Sequence, residues 1–219
     1  MAITQRTATS GTAAASGALT VTFPTSSANG DVIILAVGNA GTAGPAVIAG
    51  WTLISTTSAG TGQSITVFWA IWTSGLSGSF TNAATVAAWT CNAFIGGEDH
   101  QIDASAATSN TTNNTTLPTG APTARRHGDY EVLCYAWTSA ATISGVAAGS
   151  TIDITQANST TVSCAMGHNN TTSLAVGTVT TAFSQTLSAN NNRKTGVGVL
   201  LYLNSTDLLP FCIAPQPTR

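Results

Sequence analysis

The stretch "QSITVFWAIW", residues 63–72, has no polar face. Ile65, Val67, Trp69 and Ile71 fall on one side of a period-two pattern, and Phe68, Ala70 and Trp72 fall on the other. Branched and aromatic residues at this period specify a strand. A strand that is apolar on both sides must lie between two layers or at an interface. "TGVGVLLYLN", residues 195–204, has the same property, with Val197, Val199, Leu201 and Leu203 opposite Gly198, Leu200 and Tyr202. In "ALTVTF", residues 18–23, Leu19, Val21 and Phe23 point one way and Thr20 and Thr22 the other, as in a strand with one wet face.

Helix formers such as Glu, Lys, Arg, Gln and Met are scarce, and Leu shows no helical period. The pattern predicts an all-β chain with strands near 18–23, 31–39, 51–57, 63–73, 85–95, 130–138, 151–156, 160–168, 174–182 and 196–204. A phrase is also written twice. Leu19, Pro24-Thr25 and Gly30-Asp31 precede the strand "VIILAVGN", and Leu117, Pro122-Thr123 and Gly128-Asp129 precede "YEVLCYAW" at identical intervals. Proline suits a strand end because it has no N–H for the ladder, and Gly-Asp suits a tight turn. The expectation is a single antiparallel β-sandwich, jelly-roll-like, spanning residues 1–204. It has an internal pseudo-repeat with halves of about 15–97 and 105–204. The polar join "ASAATSNTTNNTTLPTGAPT" reads as a crossing connection within that sandwich. Residues 205–219 carry Pro210, Pro215 and Pro217 among apolar side chains, which predicts an extended C-terminal arm. Leu208, Leu209, Phe211 and Ile213 are its candidate partner contacts.

Only 6% of the 219 residues are charged, against about 25% in an ordinary domain. Ser, Thr and Asn must wet the surface instead, and so little repulsion between copies favours association. The net charge is −2 and Lys plus Arg total 6, adjacent only at Arg125-Arg126 and Arg193-Lys194. Without a basic stripe, nucleic acid is excluded as a partner. No apolar run is long enough to span a bilayer, so no membrane partner is expected. The N-terminus lacks a charged region followed by an apolar core, which suggests synthesis in the cytoplasm and, if the protein leaves, exit by a route such as lysis.

Chemistry-bearing clusters are few. His100, His127 and His168 lie near no nucleophile-elbow pattern, and there is neither a P-loop nor an HExxH motif. Cys91, Cys134, Cys164 and Cys212 have neither zinc-knuckle nor redox spacing and read as buried free thiols, with a disulfide left open. Glu98, Asp99, His100 and Asp103 in "GGEDHQID" form an acidic group that reads as a solvated loop, with a hard-metal site as the alternative. No catalytic residue, cofactor or metal is assigned. Among five tryptophans, Trp69 and Trp89 read as core, whereas Trp72 and Trp137 near strand ends are the candidate surface aromatics for stacking on a sugar.

"GDVIILAVGNAG", "GWTLISTTSAGTGQSITVFWAIWTSG" and "GSFTNAATVAAWTCNAFIGG" together resemble the β-sandwich modules of bacteriophage head- and tail-associated proteins, found also in bacterial surface proteins. The segments from "LPTGAPTARRHGDYEVLCYAW" to "GVGVLLYLN" resemble the family's second half, so the likeness covers about residues 15–205. It implies a non-enzymatic virion structural protein assembled in the host cytoplasm. With the low charge and the apolar tail, the expected role is a capsid decoration (cement) protein. Its expected partners are the major capsid protein or other virion subunits, and its expected form is a homo-oligomer, with a trimer as the working number. The alternatives are a tail-fibre or receptor-binding module and a carbohydrate-binding surface adhesin.

Overall fold

In the computed structural model, each half of the chain builds its own sheet, and the two sheets stack face to face. The structure describes residues 3–13, 17–82, 86–95, 101–126, 129–158, 161–171 and 174–202. The first half supplies β1 (Thr4–Gln5), β2 (Thr9–Ala13), β3 (Gly17–Thr20), β4 (Val32–Asn39), β5 (Thr52–Ser58), β6 (Ser64–Ile71), β7 (Ser79–Asn82) and β8 (Ala87–Ile95). The second supplies β9 (Gln101–Asn110), β10 (Asn114–Leu117), β11 (Tyr130–Trp137), β12 (Ile143–Gly145), β13 (Ser150–Asn158), β14 (Val162–Asn169), β15 (Gln185–Asn191) and β16 (Lys194–Tyr202).

The repeat seen in the sequence is a repeat of topology. The first sheet runs β8-β4-β6-β5 with β1 and β2 both on the outer edge of β8, and the second runs β16-β11-β14-β13 with β9 on the outer edge of β16. All pairs are antiparallel, and the registers correspond: Val32 opposes Phe94 as Tyr130 opposes Leu201. A small outer sheet covers each large one, β3-β7 on the first and β10-β15-β12 on the second. The sandwich is therefore antiparallel and all-β as expected. Its strands segregate by half, whereas consecutive strands of a jelly roll alternate between the sheets.

This layering explains why the central strands have no polar face. Val32, Ile34 and Ala36 of β4 point into the inner core, where they meet Val132, Cys134 and Ala136 of β11. Ile33, Leu35 and Val37 point outward onto Leu19, Trp51 and Phe80. The two faces of β6 divide as its alternation predicts, Ile65 and Val67 inward and Phe68 and Ala70 outward. Each fully buried aliphatic or aromatic side chain contributes about 1.5–3 kcal/mol. Polar ties cross the inner layer as well. Asn158 Nδ2 donates to the carbonyls of Ala13 and Ala87 at 2.8 and 2.9 Å, and Gln63 Nε2 donates to Thr195 Oγ1 at 2.9 Å.

Two expectations are corrected. The polar join holds most of β9, an edge strand whose Ala and Ser residues carry little hydrophobic signal, and all of β10. The segment 174–182, expected as a strand, makes only isolated bridges at Leu174 and Val179. It turns back on the Pro122–Asp129 segment through bonds such as Thr180 N–H to Pro122 O and Gly177 N–H to Ala124 O. Strands β1, β2, β7, β10, β12 and β15 are short or polar and have no counterpart among the sequence-derived strands. The arm 205–219 lies outside the described residues.

The second half closes through a tight approach. A Cβ on Gly196 would sit 2.0 Å from the carbonyl oxygen of Pro118 and 2.9 Å from Thr119 Cα. Because the obstacle is backbone, Gly196→Ala is expected to cost about 2–3 kcal/mol, measured as a lower denaturation midpoint. The shared inner core makes a second prediction. Residues 1–97 and 98–219 expressed separately should aggregate, since each exposes one wall of that core. Two soluble fragments with independent cooperative unfolding would contradict it.

Candidate functional site

The pseudo-repeat places two aspartates at equivalent corners, each just before the central strand of its sheet. Asp31 is held in the first corner. Arg6 Nε donates to its Oδ2 at 2.6 Å, Arg6 Nη2 to Oδ1 at 3.3 Å, and the Ala28 amide to Oδ2 at 2.7 Å. Gly30 makes this turn possible with φ of 90°, a conformation that side chains with a Cβ rarely adopt.

Asp129 in the second corner is buried, and neither of its carboxylate oxygens has a hydrogen-bond partner of normal geometry. Its neighbours are the Asp103 carboxyl and, opposing it, the backbone and then the charge of Arg126. Burial and then the Asp103 carboxyl push its pKa up to about 7. The Asp103 side chain is 3% exposed. Its Oδ2 accepts the Arg125 amide at 2.7 Å and its Oδ1 lies 3.6 Å from Arg126 Nε. Arg126 stacks over the Tyr202 ring at 4.3 Å.

Glu131 is a further buried acid. It accepts Thr180 Oγ1–H at 2.8 Å and Asn169 Nδ2–H at 3.0 Å, and burial raises its pKa despite them. Asn169 and Thr180 also line a cavity of about 370 Å³ with Leu174, Val179 and Phe183. Lys194 is buried too. Its Nζ donates to the carbonyls of Thr112 and Asn114 and to Asn114 Oδ1, each at 2.9 Å, and to the Asn191 carbonyl. Those oxygens replace water around the ammonium, while desolvation lowers its pKa. His168 Nδ1 sits 3.0 and 3.1 Å from the two Asp153 oxygens, with its ring stacked on Tyr130.

The sequence-derived candidates scatter. Trp72 is half-buried and packs edge-on to Phe23, with ring centroids 4.6 Å apart. Trp137 is fully buried and is not a surface aromatic, because its indole N–H donates to Ala141 O at 2.8 Å beneath the segment that follows the strand. Cys91, Cys134 and Cys164 are buried free thiols; burial pushes Cys164 up to about 11. Glu98, Asp99, His100, His127 and Cys212 lie outside the described residues, as do Leu208, Leu209, Phe211 and Ile213. Of the acidic cluster only Asp103 is described, and it turns inward to Asp129. Among the described residues no three His, Cys, Asp or Glu side chains converge. Setting the two halves side by side would have exposed Glu131, since the first half has Ile33 at that place.

No protein-family model matches the chain, and neither a curated protein nor a solved structure is significantly similar to it.

A pH prediction follows for Asp129. Its folded pKa is raised, so the stability it contributes is complete below the ordinary carboxylate range. That stability is lost as pH rises, because the unfolded chain ionises first, and the loss ends near pH 7 where the folded carboxyl also ionises. Asp129→Asn should flatten this part of the profile and unfold at higher denaturant than wild type at pH 8. An unchanged difference between pH 5 and pH 8 would refute the assignment.

Proposed function

We propose that this chain is a non-enzymatic virion structural protein, a capsid decoration protein that stabilises a phage head by binding the major capsid protein as a homo-oligomer. The observation that carries the reading is how the few charges are spent. Asp31, Asp129, Glu131 and Lys194 are buried. Among the described residues, only Arg125, Arg126 and Arg193 are exposed charges. The described surface is therefore wetted almost wholly by hydroxyls and amides. Such a surface presents little Coulombic barrier to close packing against copies of itself or a capsomer. Association would rest on apolar burial, about 25 cal/mol per Å² before binding costs. The layered β-scaffold is suited to the role because it has little to rearrange on docking. The burial of Trp137 weakens the sugar-stacking alternative.

The test is mass spectrometry of virions from the genetic element that encodes the chain, paired with sedimentation of the purified protein. Stoichiometric recovery in heads and a trimer in solution are the expected results. Absence from particles would reject the proposal, and recovery only in tails would move it to the tail-fibre module. Association should change less than about threefold between low and high salt, since few exposed charges contribute to it. Truncation after Asn204 removes Leu208, Leu209, Phe211 and Ile213 and is expected to weaken oligomerisation or head binding while leaving the thermal midpoint of the sandwich intact.

A further inference from the structure

The two corners answer one electrostatic requirement in opposite ways. In the first half, Arg6 leaves edge strand β1 with its amide on the Ala93 carbonyl, and its guanidinium neutralises Asp31. In the second half, the corresponding edge strand is β9. It pairs with Leu200 through Ala104 and with Leu201 through Ile102, and Asp103 is the extra residue at that irregularity. The place of a cation in one half is thus taken by a carboxylate in the other. Asp103 and Asp129 face one another away from water, and neither buried oxygen of Asp129 has a hydrogen-bond partner of normal geometry. Arg126 offsets this only in part: it is 48% exposed, sits 3.6 Å from Asp103 and is drawn onto Tyr202. A buried carboxylate pair with so few donors needs a counter-ion or a proton.

We propose that Asp103 and Asp129 together bind one hard divalent cation of the Ca²⁺ class, in the position that the Arg6 guanidinium fills in the first half. Carboxylate oxygens select hard cations. Ca²⁺ tolerates the irregular geometry of a strand bulge and a turn, whereas Mg²⁺ demands a near-ideal octahedron. Backbone carbonyls and water would complete the shell. The inference does not depend on the role proposed above.

The test uses the full chain, stripped with EDTA, at pH 8, above the raised pKa of Asp129. Titration with CaCl₂ followed by calorimetry and thermal melting should show one site per chain and a rise in the melting midpoint. Tb³⁺ should bind there with luminescence sensitised by the neighbouring Tyr130 and Tyr202. Asp129→Asn and Asp103→Asn should each lose the response, and Asp31→Asn should keep it. Should those variants fold poorly, Asp103→Arg rebuilds the first-half pair and should melt at the same temperature with or without Ca²⁺. A wild-type protein that ignores Ca²⁺ and Tb³⁺ and responds only to pH holds a proton there, which overturns the proposal. Binding that survives in both Asp129→Asn and Asp103→Asn also overturns it, by placing the cation elsewhere.

Discussion

Everything in this molecule depends on the inner core between the two large sheets. Val32, Ile34, Val67 and Phe94 of one half meet Val132, Met166, Val197 and Leu201 of the other there. Neither half can hide that face alone. Each has a modest outer core under its own small sheet, and the inner layer turns two such units into one body. The ties from Asn158 and Gln63 fix how the sheets sit, because a slip would leave buried amides unpaired.

The halves then diverge on a common plan. The first fills its outer core with aromatic rings, Trp51, Phe68 and Phe80, packed edge to face or tilted within 5.3–6.5 Å of one another. The second adds polar chemistry beside an apolar outer core of Leu117, Leu133, Trp137 and Phe183. Tyr135, Gln185 and Ser150 form a hydrogen-bonded chain, and Glu131 is held by Thr180 and Asn169. A duplicated scaffold thus carries one copy whose outer core is rich in aromatic rings and one with more buried ionisable groups. The Asp31 and Asp129 corners express the same divergence, with a guanidinium in one and a second carboxylate in the other.

Much of the central architecture was legible in residue order. The double-faced apolar strands around Phe68 and Val199 require four layers' worth of cover, and they have it. The paired Leu-Pro-Gly-Asp intervals announce a repeat that the topology reproduces in the four main strands of each large sheet. Edge strands were not legible. β9 pairs along its whole length with β16, but its Ala, Ser and Thr residues have neither the bulk nor the alternation of a core strand. The 174–182 segment misleads in the opposite sense. Leu174 and Val176 alternate like a strand, yet Val176 and Val179 are exposed and the chain turns between them.

By itself the sequence determined the class, the repeat and the faces of the central strands, because period-two hydrophobicity is a local property that burial must satisfy wherever the strand ends up. Only the tertiary structure decided which sheet each strand joins, since hydrogen-bond partners far apart in the chain leave no local trace. It alone buried Trp137 at a strand end and brought Asp103 on an edge strand beside Asp129 in a turn. Such a meeting is set by register across β16, where a single bulge residue decides whether a carboxylate points at solvent or at its neighbour.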